Sequence, residues 1–478
     1  MMRVSYLYLI ESVLAVVRCT FAATVDWTTI SNDRGDRLPD FSFCGYHASN
    51  EPLPSTSVAP SVILSPAGGD QTSDIQSALD KIATSGGGVV KLDQGTFHIS
   101  SGLTVPSNTI LRGSGTASTE LSVIKQTAGI PLISLGNGTT HRAAPLMTSG
   151  ILNNYIGIGA STMTVQDAGG FQVGQEVFIS RAATEEWIRY NGMADLIRGN
   201  TPQTWISVGT IISEPRTIKY INGNNVTFTI PLTDALDRRY MEPYLASFSR
   251  PPTSKEIGLE NLSITLSPTC SGAVVNNNAD PCSDSAISIS SWTVDSFSNA
   301  SRITIEDVGL YRDANTDNSA GYPADITVLG SQILIQDSGQ YGLNTAKAFA
   351  VVTGAGTPGP NAVLRHVVRS DLQLIYPHQR WAHGFLAEDT DAGVTYINRG
   401  TAGSGHGWAI NAGVAWNVRG DVQIQSPPLG VNWGIGSSGT ILADTNGTMI
   451  NNAPQQLEAA VESATHKWAA AATPPGDI

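Results

Sequence analysis

DIQSALDKIATSGGGVVKLDQGTFHIS (residues 74–100) and LTVPSNTILRGSG (residues 103–115) pack one short helix and four short strands into little more than forty positions. Ser73 and Gln76 have the spacing of a capping box, and Ile75, Leu79 and Ile82 then share one helical face. Gly86, Gly87 and Gly88 stop the helix. Val89–Leu92, Thr96–Ile99, Leu103–Val105 and Thr109–Arg112 follow as strands, separated by Gly95, by Ser100 to Gly102 and by Pro106 to Asn108, and ended by Gly113. Strands this short, joined by turns this tight, suit a sheet that stacks coil on coil.

Working outward, the same texture returns. IGLENLSITL, SRITIEDVGL, SQILIQDS, NAVLRHVV, VTYINRG and GVAWNVRGDVQIQ are β-rich runs between Ile257 and Gln425. They recur at roughly 20 to 30 residues, the period of one solenoid coil. Each alternates inward Ile, Val or Leu with outward polar residues, and no coil can bury its apolar side without neighbours on both sides. The 48 glycines among 478 residues argue for many turns and against long helices. Residues from about 160 to 245 break the pattern. VGQEVFISRA and YINGNNVTFTIPL read as β-strands with an Asn-Gly turn, and Trp187, Tyr190, Met193 and Trp205 lie between them, giving either a flap with its own small core or one wall of a cleft. Boundaries follow: a secretory signal over 1–22, a lead-in over 23–66, the parallel β-helix over 67–452, and an amphipathic C-terminal helix and tail over 453–478, where Leu457, Val461 and Trp468 are apolar.

The signal rests on Arg3, the apolar run Tyr6–Val17 and the small-residue cleavage site around Ala22, so the mature chain is expected outside the cell. Sequons at Asn137, Asn225, Asn261, Asn299 and Asn446 fit a glycoprotein. Cys270 and Cys282 bracket one polar loop that a disulfide could staple, leaving Cys44 buried. A net charge of −13 disfavours nucleic acid. No later run is long enough to cross a bilayer. The expected partner is a polysaccharide, and the expected state is a monomer.

The quoted segment resembles the first coils of pectate-lyase-superfamily proteins. TPGPNAV, HQRWA (His378–Ala382), GSGHGW (Gly403–Trp408) and QSPPLGVNWGIG (Gln425–Gly436) resemble a secreted branch of that superfamily with no settled substrate. The resemblance implies an all-β, single-stranded right-handed parallel β-helix. It does not name a reaction, because one fold hosts many functions.

Chemistry concentrates between Arg365 and His406. Arg365, His366, Arg369, His378, Arg380 and His383 reverse the acidic balance of the chain locally. Coil stacking would place His378, Arg380 and His406 in one groove. His378 or His406 is then the candidate base and Arg380 the neutraliser of a uronate carboxylate, with Arg369 as a further carboxylate fork. Trp381, Trp408 and Trp433 could stack on sugar rings, although tryptophans are as often core; Asn411 completes the candidate binding set. His366 reads as a satisfied structural residue. A competing resemblance is to polygalacturonase-like hydrolases, through Asn315-Thr316-Asp317 and Gly405-His406-Gly407. The adjacent Asp pair of that family is absent: Asp389 and Asp391 are split by Thr390, and the later Arg-x-Lys is missing. Asp371, Glu388, Asp389 and Asp391 could bind calcium, but without calcium-loop spacing. The sequence thus favours an enzyme that cleaves an acidic, uronate-containing glycan by β-elimination. A glycoside hydrolase and a non-catalytic carbohydrate-binding β-helix are the alternatives.

Overall fold

The computed structural model describes residues 27–124, 130–136, 145–249, 253–266, 286–289, 293–294, 297–298, 300–312, 324–342, 349–369, 374–437 and 439–441. The expected signal, the Cys270–Cys282 pair, Asp317, Asp371, three of the sequons (Asn137, Asn299 and Asn446) and the C-terminal helix lie outside the described residues.

The chain winds as a right-handed parallel β-helix. Helix α1, Thr72–Thr84, buries Ile75, Ala78, Leu79 and Ile82 against the first coil. The expected capping box does not form. Instead the Gln76 amide donates to the Thr104 carbonyl (3.0 Å) and accepts from the Thr104 N–H (2.8 Å). A side chain thereby satisfies both backbone groups at an edge that would otherwise invite another strand.

Three parallel ladders form the sides of the stack, each in two parts among the described residues. Sheet A holds Val62–Leu64, Gly88–Leu92, Thr109–Arg112 and Gly258–Glu260 in its first part. Its second part is six-stranded, from Ser301–Glu306 through Ser331–Gln336, Asn361–Leu364, Ala382–Glu388 and Ile410–Trp416 to Trp433–Ile435. Sheet B holds Gly95–Ile99, Thr119–Val123 and Ser263–Leu266, then Gly309–Arg312, Gly339–Gly342 and Val367–Val368; sheet C holds Leu103–Val105, Ile133–Leu135 and Ile287–Ile289, then runs from Ala324–Val328 to Gly439–Ile441. In-register rungs Ile305, Ile335, Val363, Ala387 and Ala415 stack inside the bore. The corner after sheet A repeats as well. Asp307, Asp337, Arg365, Asp389, Asn417 and Gly436 each have φ between 48° and 61°. Asp, Asn and Gly tolerate this left-handed conformation best, which explains their recurrence. Arg365, the exception, is held by a two-pronged bond to Asp337 at 2.6 Å.

The expected polar outer face is wrong for the later coils. Leu334, Ala362, Leu386, Val414 and Trp433 form a second apolar ladder on the outside of sheet A. Leu38, Phe41 and Cys44 of the N-terminal arm cover it, so Cys44 is buried as expected. Strands buried on both faces read as continuous apolar runs, not as alternation. The arm is pinned by Asp36, which accepts from the Ile158 N–H (3.0 Å) and the Tyr155 hydroxyl (2.5 Å).

Between the second and third coils the chain leaves the stack. Its excursion is a six-stranded antiparallel sheet running from Pro145–Gly150 to Tyr244–Phe248, with helix α2, Glu185–Tyr190, inserted. It folds back onto the later coils through a core that joins Trp187, Trp205 and Leu236 to Trp381 and Trp408 of the solenoid.

Candidate functional site

His378 and His406 are rung-mates. Ala382 pairs with Ile410 and His383 with Asn411, so the segments just before these strands stack one coil apart. The two imidazoles meet edge to face, with ring centroids 4.7 Å apart, and the Arg380 N–H donates to the His406 carbonyl at 3.0 Å. Gly403 closes over the second ring. A Cβ there would lie 2.0 Å from His406 Nε2, so only glycine fits. His406 is buried, and His378 is partly exposed.

Around this pair the charge is positive. The Arg399 guanidinium donates to the His378 carbonyl (2.7 Å) and lies 4.6 Å from the centre of the Tyr376 ring. Arg198, from the excursion hairpin Ile197–Pro202, donates to the Gly403 carbonyl (2.8 Å). Among the described residues, no carboxylate pairs with Arg198, Arg380 or Arg399. Burial, then Arg399 and Arg380, push the His378 pKa down to about 4. Burial, then Arg399 and His378, do the same to His406, also to about 4. Both rings are therefore neutral at neutral pH and able to accept a proton. Burial raises the Tyr376 hydroxyl above its ordinary value, which keeps it protonated.

Three expectations for this site need correction. Arg380 stands in the cluster but is not a free neutraliser. Its guanidinium donates to the Trp205 carbonyl (2.6 Å), the Gln379 amide oxygen, and the Ser404 carbonyl (3.1 Å) and hydroxyl (2.7 Å). It ties excursion, loop and solenoid together, and Arg399 is the guanidinium left with unused donors. Trp381, Trp408 and Trp433 are buried and present no ring face to a sugar. Trp381 Nε1 donates to Asp234 (3.0 Å) and Trp408 Nε1 to the Asn191 carbonyl (2.8 Å). Asn411 is buried too, bonded to Asp234 (3.1 Å) and to the Val431 N–H (3.0 Å). These residues serve the seam between excursion and solenoid. That seam also holds the Arg181–Asp234 pair at 2.8 Å and the Arg216–Glu214 pair at 2.5 Å, with His383 Nδ1 lying 2.8 Å from Thr233 Oγ1.

Arg369 lies apart, beyond sheet B, paired with Asp391 at 2.5 Å. Asp389 and Asp391 follow Ala382–Glu388, whereas His378 and Arg380 precede it. Seven strand residues rise about 23 Å, so the aspartates cannot act together with His406. His366 is buried and bonded to Gln340, the structural role expected of it. Among the described residues, no three His, Cys, Asp or Glu side chains converge as a metal site. Tyr376, Arg399 and Arg198 were missed from sequence. The signal for the first two is their position: Tyr376 stands two residues before His378, and Arg399 seven before His406.

No protein-family model and no curated protein sequence matches the chain. Among solved structures it is similar to the tailspike protein gp49 from Pseudomonas phage LKA1, at 15% identity and TM-score 0.33 over 78% of this chain and 53% of that one. It is similar to the Pseudomonas phage phi297 tailspike gp61, at 14% identity and TM-score 0.32 over 79% and 59%. It is also similar to the A-module of the Azotobacter vinelandii mannuronan C-5 epimerase AlgE6, at 11% identity and TM-score 0.28 over 77% and 73%. The chain spans between half and three fifths of the length of the two tailspike chains.

Proposed function

We propose that the protein is an extracellular enzyme that binds an acidic polysaccharide and cleaves it by β-elimination. The observation that carries this reading is the cluster of Arg198, Arg380 and Arg399 around two neutral imidazoles, with no carboxylate partner among the described residues, in a chain of net charge −13. An unpaired, half-buried guanidinium calls for an anion, and its planar fork matches a uronate carboxylate. Arg399 binds that carboxylate and stabilises the charge that develops on it. His378 takes the C5 proton, the C5–H electron pair becomes the C4=C5 double bond, and the C4–O bond breaks. The leaving oxygen is protonated by the Tyr376 hydroxyl. His406, packed edge to face against it, holds the His378 ring.

The test is incubation with polygalacturonate, alginate and a neutral glycan. Ultraviolet absorbance from an unsaturated product should rise in step with new reducing ends, and only on the acidic polymers. Reducing ends without absorbance would mean hydrolysis, and binding without either would mean a carbohydrate-binding protein. Each outcome overturns the lyase reading.

A further inference from the structure

Sheet B carries a feature that the site above does not use. Gly309–Arg312 (GLYR) and Gly339–Gly342 (GQYG) are neighbouring rungs, with Tyr311 opposite Tyr341. The next rung pairs Gly339 with Val367 and Gln340 with Val368, so Arg369 follows Tyr341 in the ladder. The Arg369 N–H donating to the Gln340 carbonyl (3.0 Å) keeps that register. Gln340 turns inward to His366, so by strand alternation Tyr311, Tyr341 and Arg369 all point outward.

The two phenol rings are stacked, with centroids 5.2 Å apart and planes 25° from parallel. Each leans back over the glycine two residues before it. A Cβ on Gly309 would come within 2.9 Å of the Tyr311 ring, and one on Gly339 within 2.8 Å of Tyr341 Oη. Glycine in both repeats gives the ring its seat. Tyr311 is 79% exposed, and among the described residues its strand is the edge of its sheet, which leaves its outer ring face open. At the other end, Arg369 spends one nitrogen, Nη1, on Asp391. Its other donors have no partner among the described residues.

An open aromatic face next to a cation complements an acidic sugar polymer, because a pyranose presents an apolar C–H face and a uronate adds a carboxylate. We propose that Tyr311, Tyr341 and Arg369 form a second glycan-binding surface. A pyranose continues the ring ladder on Tyr311, and a carboxylate further along the same strand shares the Arg369 guanidinium with Asp391. Two rungs span about 10 Å, so the ligand is an oligosaccharide stretch of the polymer and not a single sugar. The inference rests on the acidic-polysaccharide reading. The surface lies on another sheet from His378, so it holds the polymer without taking part in cleavage.

The experiment measures binding of the full chain to polygalacturonate and alginate, beside turnover of a short uronate oligosaccharide. Tyr311→Ser and Arg369→Gln should each weaken polymer binding about tenfold, the effect of one good aromatic contact or charged bond. Oligosaccharide turnover should stay at wild-type level. Folded variants, checked by circular dichroism, that both keep wild-type polymer affinity would overturn the second surface and leave the cleavage site standing. A wild-type chain that binds neither acidic polymer would overturn both.

Discussion

Arg380 and Arg399 share one pocket, but their hydrogen bonds give them different tasks. Arg380 is consumed by three backbone or side-chain oxygens on two loops, as well as by its neighbour Gln379. Arg399 donates to the His378 carbonyl and interacts with the Tyr376 hydroxyl, and among the described residues it has no carboxylate partner. Arg399→Ala should therefore lower kcat/KM on an acidic glycan about a hundredfold, the cost of removing one transition-state donor, with thermal stability nearly unchanged. Arg380→Ala should behave in the opposite way, losing about 1–3 kcal/mol of stability as buried acceptors lose their donor. Paired activity and melting measurements separate the two, and a large activity loss without destabilisation in Arg380→Ala would reverse the assignment. His378 and His406 were legible in sequence because one coil of residues separates them. Nothing in the spelling of HQRWA told that its arginine would turn back into the protein.

The excursion is an element with a core of its own that is also a wall of the site. Trp187 and Trp205 stack at 4.9 Å, Trp187 meets Trp381 edge-on at 4.9 Å, and the Trp205 carbonyl takes Arg380. Asp234 is the hub of the seam, accepting from Arg181 of the excursion and from Trp381 and Asn411 of the solenoid. Asp234→Ala would leave Arg181 buried without its counter-charge. A loss of about 3–5 kcal/mol is expected, measured by denaturant unfolding followed through tryptophan fluorescence. A loss below about 1 kcal/mol would mean that the excursion docks without this hub. The hairpin texture of the excursion was plain in the sequence. Its landing place was not, because residues more than a hundred positions apart meet there.

Across the whole molecule, buried histidines couple stability to pH. Burial holds His366 and His378 near pKa 4, with His406 beside them and His383 also lowered. The unfolded chain takes up these protons below about pH 6.5, while the native protein resists them until about pH 4. The contribution of these buried histidines should thus be level above pH 6.5 and fall as pH drops through that window. His366, wholly buried, should contribute about 3 kcal/mol of that fall. Melting temperatures from pH 8 to pH 4 test this, and His366→Gln should flatten the slope. The acidic limb of the pH–rate profile should lie near pH 4, where His378 protonates. A limb at pH 6.5 would point to a solvent-exposed base.

The sequence by itself determined the solenoid, its first helix and the fact that the chain leaves the stack, although the excursion sheet begins at Pro145 and not near residue 160. Those follow from local patterns: a glycine stop, short apolar strands and a recurring period, each legible within a few tens of residues. It also placed His378 near His406, because a fixed period converts sequence spacing into neighbourhood. Only the tertiary structure decided which polar and aromatic residues are free. Trp381, Trp408, Trp433 and Asn411 are spent in packing, because the N-terminal arm and the excursion cover an outer face that an isolated coil would leave to water. Whether a side chain meets solvent depends on what distant segments lay across it, and the period of the coil carries no record of that.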